Sequence, residues 1–167
     1  MSVGYVDPVG DNAVTWTPSA GTDHYALVDD GVRQPDAPDT ADYVSYTAAP
    51  GANEDFDMGT LTVSEVSSVT VWAYAKHDAA AALNLNVYLA GAWQTANTTN
   101  TLSGTYAWYS ATWNGSWSQA DLDALLVRVT KTNAQEVYVE TVAAIYADIT
   151  YEPVAPPAAG GHFAVMV

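Results

Sequence analysis

Residues 68–77, Ser-Val-Thr-Val-Trp-Ala-Tyr-Ala-Lys-His, decide the fold, and residues 83–89, Leu-Asn-Leu-Asn-Val-Tyr-Leu, repeat their message. In the first stretch Val69, Val71, Ala73 and Ala75 take every second position, with Thr70, Trp72, Tyr74 and Lys76 between them. In the second, Leu83, Leu85, Val87 and Leu89 alternate with Asn84, Asn86 and Tyr88. Successive side chains of an extended chain point to opposite faces, so a period of two sorts the aliphatic set from the rest. This is the pattern of half-buried strands in an antiparallel sheet. Asp78-Ala79-Ala80 connects the two, because its alanine run is too short to nucleate a helix.

Working outward, Ala90-Gly91 predicts a tight turn into Ala92-Trp93-Gln94-Thr95. A polar stretch covers 97–104, and 106–113 reads as an aromatic-rich strand. Asn114-Gly115 is a turn signal. Ser118 stands three residues before Asp121, with Leu122, Leu125 and Leu126 at helical spacing after it, which predicts a short capped helix over about 119–125. Arg128 belongs to a strand over 126–130. The last strand is long, with Val137, Val139, Ala143, Ile145, Ala147, Ile149 and Tyr151 on odd positions; it is two strands or one bent by a bulge.

The first sixty residues are less regular. Strands are expected over 13–17 and 24–28, a loop over 33–40, and an edge pairing between 42–47 and 56–61. Many short strands and one short helix give an all-β chain: a two-sheet antiparallel β-sandwich, jelly-roll-like. Residues 1–152 form that domain, and 153–167 form a Pro/Gly-rich linker with an apolar end.

Composition narrows the function. The hydrophobic fraction is 49% and the charged fraction 14%, a folding composition, and no apolar run approaches the ~20 residues of a membrane span. Residues 1–5 lack the basic start and apolar run of a secretory signal, so the chain is expected to be the full product. There is no cysteine, which excludes disulfides and thiolate metal sites. The net charge is −15, and the only cations are Arg33, Lys76, Arg128 and Lys131. Such a surface repels phosphate backbones and anionic bilayers, so neither nucleic acid nor membrane is an expected partner.

No motif demands catalysis, and the chain is read as non-enzymatic. His24, His77 and His162 stand far apart with no metal-ligand spacing, and His24 suits a hydrogen-bond network at a strand end. Acidic residues gather at Asp29, Asp30, Asp36, Asp39 and Asp42, and again at Glu54, Asp55 and Asp57. They read as solvated loop charge. Calcium is the one cofactor their chemistry would suit, and the loop over 29–42 is its candidate site. The aromatics say more. Trp72, Tyr74, Tyr88, Trp93, Trp108, Tyr109, Trp113 and Trp117 crowd the central strands, where they pack the core, anchor a protein interface or form a sugar platform.

Several segments, taken in order, resemble the jelly-roll domain of phage tail and virion structural proteins. They are Val14-Thr15-Trp16, residues 24–30, residues 38–44, Val69-Thr70-Val71-Trp72-Ala73, Leu83-Asn84-Leu85-Asn86-Val87, residues 105–110, the helix stretch 117–125 and the closing 146–153. Similar proteins carry a long loop before the helix, whereas here residues 113–117 make it short. The resemblance implies a virion component: a capsid decoration protein, head fibre or tail-associated protein bound to major capsid or tail proteins. It implies a homo-oligomer, a trimer by analogy, and it carries no catalytic residues. The partner contacts are read from the residues themselves: the tryptophans Trp93, Trp113 and Trp117, and the apolar tail residues Phe163, Val165, Met166 and Val167, which lie outside the resemblance. The tail either adds a strand to a neighbour's sheet edge or folds back on its own domain. The alternative is a carbohydrate- or receptor-binding module, with a glycan held by the same tryptophans beside Asn and Asp side chains.

Overall fold

The computed structural model describes residues 1–47, 50–77, 81–95, 99–132 and 139–154. The tail residues Phe163, Val165, Met166 and Val167 and the connection at 78–80 lie outside them. In chain order the strands are β1 (Ser2–Val6), β2 (Pro8–Ala13), β3 (Thr17–Pro18), β4 (Val44–Tyr46), β5 (Asn53–Met58), β6 (Glu65–His77), β7 (Ala81–Leu89), β8 (Ala92–Trp93), β9 (Thr99–Leu102), β10 (Ala107–Trp117), β11 (Leu126–Lys131) and β12 (Glu140–Glu152). One short helix, α1 (Gln119–Asp123), precedes β11.

These strands form a two-sheet antiparallel sandwich. The first sheet runs β10-β6-β12-β4-β3, with β1 also paired to β12. The second runs β2-β5-β11-β7-β8, with β9 also on β7. The period-two reading of β6 and β7 holds. Val69, Val71, Ala73 and Ala75 of β6 and Leu83, Leu85, Val87 and Leu89 of β7 are all fully buried. They meet Val127 and Val129 of β11 and Val142, Ile145, Ala147 and Ile149 of β12 in one core. Val66 also points inward although it breaks the odd-number rule. Against β12 the pairing steps from Ser68 to Val66 while β12 advances one residue, so a bulge at Ser67 resets the alternation, and β10 carries its own extra residue between Asn114 and Trp117. A second slip, between Val142 and Ala144, makes β12 one bent strand rather than two.

Local signals are realised where their chemistry is self-contained. Ser118 caps α1 through a complete capping box with Asp121, whose carboxyl is held below its ordinary range by the Ser118 hydrogen bonds. Ala90 (φ 52°) and Gly91 (φ 76°) make the two-residue turn between β7 and β8.

Other expectations change. Asn114-Gly115 is no turn, because both residues lie inside β10. A Cβ at Gly115 would come within 2.6 Å of the Trp117 ring, so the glycine is there to let that ring fold back. Residues 25–27 form a turn of 3₁₀ helix rather than a strand. Of 13–17, only the ends are in strands. The expected pairing of 42–47 with 56–61 does not occur: β4 pairs with β12 and β3, and β5 with β11 and β2, in opposite sheets. Asp11 explains part of this. Its carboxylate accepts the amides of His24 and Tyr25 at 2.9 and 2.7 Å, which ties that segment to β2 and spends the donors a strand would need.

Candidate functional site

The outer face of the first sheet carries what the inner face of β6 leaves over. Trp72 and Tyr74 on β6 lie opposite Ser110 and Trp108 on β10, and Trp72 lies opposite Tyr146 on β12. The result is a connected aromatic shelf. Tyr74 stacks on Tyr106 (5.3 Å, 11°) and tilts against Trp108 (5.0 Å). Trp108 meets Tyr146 edge-on at 5.3 Å, and Tyr146 stacks with Trp72 at 6.2 Å. Tyr146 is buried beneath its neighbours, while Trp72, Tyr74, Tyr106 and Trp108 keep part of their surface in solvent. Such offset and edge-on pairs fix ring orientation at low entropic cost.

The loop between the 3₁₀ turn and β4 is fastened across one end of this shelf. The Val28 carbonyl accepts the Ile145 amide at 2.9 Å, where β12 is bent. The Arg33 guanidinium is held between the Tyr5 and Tyr146 rings, 4.4 and 4.6 Å from their centroids, and pairs with Asp7 at 2.6 Å. The Gln34 amide donates to the Tyr146 hydroxyl, and the Trp108 indole N–H donates to the Asp36 carbonyl at 2.8 Å. On the sheet itself the Trp72 indole donates to Asp148 at 2.9 Å. Burial pushes the Asp148 carboxyl up, against the pull of that bond and of Arg33.

Beside the shelf lies an open groove of about 230 Å³, lined by Thr40, Tyr43, Ser45, Lys76, Tyr106, Val139 and Thr141. Strand register builds its floor: Thr141 of β12 sits between Ser45 of β4 and Lys76 of β6, all on the outer face. The Lys76 ammonium lies 4.8 Å from the Tyr106 ring centroid. Burial, with Tyr43 and Tyr74 nearby, pushes the Tyr106 phenol up to about 12, so it stays a hydrogen-bond donor at working pH. The lining combines ring faces, hydroxyls and one ammonium, and it can take a small polyhydroxylated ring by stacking and hydrogen bonding. At this size it holds one such ring without enclosing a chain, since pockets for drug-sized ligands run to about 300–1,000 Å³.

The tryptophans picked from the sequence go elsewhere. Trp113, expected at a partner surface, is a core residue with 5% of its surface exposed. It stands opposite Val69 on the inner face of β10, and its indole donates to the Thr95 carbonyl at 3.0 Å. Trp117 is half-buried against the core. Trp93 does face outward, on the second sheet, but the Arg128 guanidinium covers it at 3.8 Å while bound in bidentate fashion to Asp55. The sequence reading missed Tyr106 and Tyr146 as shelf residues. The alternation of β6 placed Trp72 and Tyr74 outward, but not which strands would flank them.

The acidic loop over 29–42 reads from the sequence as solvated charge, with calcium as the one cation it would suit; among the described residues no group of three or more His, Asp or Glu side chains is placed to hold a metal ion. His24 is buried in a hydrogen-bond network as expected, but at the start of the 3₁₀ turn rather than at a strand end. Its Nδ1 lies 2.5 Å from Glu54, whose other oxygen accepts the Thr15 and Trp16 amides at 2.7 and 2.8 Å.

No family model matches this chain, and neither does any curated protein. Solved structures of similar architecture exist. One is the CBM36-1 domain of a multidomain xylanase from the hindgut metagenome of Trinervitermes trinervoides, at 12% identity and TM-score 0.47, covering 92% of this chain and 100% of that one. A second is the CBM22-1 xylan-binding domain of a Paenibacillus barcinonensis protein, at 15% identity and TM-score 0.47, over 81% and 86% of the two chains. A third is the N-terminal cellulose-binding domain of a Cellulomonas fimi β-1,4-glucanase, at 13% identity and TM-score 0.41, over 73% and 86%. The likeness is one of β-sandwich architecture.

Proposed function

We propose that the chain is a non-catalytic carbohydrate-binding β-sandwich module whose ligand lies along the outer face of the first sheet. One observation carries this reading: the half-exposed rings of Tyr74, Tyr106 and Trp108 run directly into a hydroxyl-lined groove. A sugar presents an apolar ring face and a rim of hydroxyls, and this surface offers the complement of both. Rigid rings and pre-placed hydroxyls keep the ordering cost of binding low. The test is a glycan array probed with the purified chain and with Tyr106→Ala and Trp108→Ala. Binding by the wild type, weakened in both variants with unchanged circular dichroism, is expected. An array without any bound glycan rejects the reading.

The virion-component reading stands second and is compatible with the first, since a sugar-binding module can sit on a particle. Its specific support is apolar surface at the N-terminal strands: Met1, Val3, Tyr5 and Val9 are exposed by 83%, 67%, 58% and 58%. Apolar side chains so placed suit a protein contact. Light scattering tests it through the oligomer: Val3→Asp combined with Tyr5→Asp should lower the molar mass, and a monomeric wild type argues against it.

A further inference from the structure

Among the described residues Lys76 forms no ion pair. Arg33 is paired with Asp7 and Arg128 with Asp55, and Lys131 is buried, where its charge bears on Glu140. Lys76 is half-exposed, lies over the Tyr106 ring, and has no carboxylate at ion-pair distance among the described residues. In a chain with 19 acidic residues and four Lys and Arg, that isolation needs a reason. The register supplies the setting: hydroxyl-bearing Ser45 and Thr141 continue the row across β4 and β12, and the Tyr106 phenol stays protonated.

Resting on the carbohydrate reading, we propose that the groove at Lys76 selects a carboxylate-bearing sugar residue, a uronate, over its neutral counterpart. The ammonium takes the carboxylate in a charge-assisted hydrogen bond, Ser45 and Thr141 take ring hydroxyls, and Tyr106 takes the ring face. Contact with the Tyr106 ring strips part of the water from the ammonium, which strengthens its attraction for an anion. The overall charge of −15 opposes approach of an anion, but at physiological salt it is screened beyond about 8 Å while the contact pair is not.

The experiment is calorimetry at physiological salt with short gluco-, galacto- and mannuronate oligomers, each paired with its carboxyl-reduced neutral form. At least one uronate oligomer is expected to bind tenfold or more tightly than its reduced partner. Lys76→Gln should erase that difference, and Lys76→Arg should keep it. Equal or tighter binding of the neutral forms, or a preference that survives in Lys76→Gln, overturns the uronate assignment and leaves the carbohydrate reading standing. No binding by any sugar overturns both.

Discussion

The indole N–H of Trp108 donates to the carbonyl of Asp36 at 2.8 Å, joining β10 to a loop 72 residues earlier in the chain. One ring thus serves two ends: its face belongs to the aromatic shelf, and its nitrogen holds the loop that borders it. Trp108→Phe separates them. It keeps a ring beside Tyr74 and Tyr146 but drops the tether. We expect glycan affinity between that of wild type and Trp108→Ala, and faster hydrogen exchange confined to residues 33–40. Equal affinity in Trp108→Phe and wild type would show that the tether plays no part.

Glu140 sets a pH dependence of stability. It is fully buried at the inner face of β12, opposite His77, and neither carboxylate oxygen accepts a hydrogen bond among the described residues. Burial pushes its carboxyl up to about 8, against the pull of Lys131. The folded state therefore holds a proton that the unfolded chain has released. This contribution is complete below the ordinary carboxyl value and is lost as pH rises to about 8, at up to roughly 1.4 kcal/mol per pH unit. Urea midpoints should fall from pH 5 to 8, and Glu140→Gln should flatten that slope. A slope that persists unchanged in the variant rules Glu140 out as its source.

Glu54 is the buried acceptor that organises the N-terminal third. It takes two backbone amides and shares a hydrogen bond with His24. Glu54→Ala leaves those groups unsatisfied and should cost about 2–4 kcal/mol in chemical denaturation. Glu54→Gln keeps an acceptor oxygen and should cost less than half as much.

Ala90 carries a left-handed backbone, φ 52°, in the β7–β8 turn ahead of Gly91. Alanine pays for that conformation, whereas Asn-Gly is the pair such turns favour. Ala90→Asn should raise stability by about 0.5–1 kcal/mol and lift the melting temperature by a few degrees. No gain would mean that the turn is not strained by alanine.

What the sequence determined by itself is whatever depends on neighbours along the chain. The alternation at 68–77 and 83–89 set two strands and their buried faces, because side-chain direction in a strand repeats every two residues. The Ser118–Asp121 box and the Ala90-Gly91 turn were legible for the same reason. What only the tertiary structure decided is which faces meet. Trp113 and Trp108 stand on opposite faces of one aromatic strand, and only the packing of the second sheet makes the face of Trp113 the core and that of Trp108 the outer shelf. Ser45, Thr141, Lys76 and Tyr106 form one groove only because β4, β12 and β6 are hydrogen-bonded side by side. Pairing across gaps of 65 residues (Lys76 to Thr141) and 96 residues (Ser45 to Thr141) is fixed by global packing, and no local spacing encodes it.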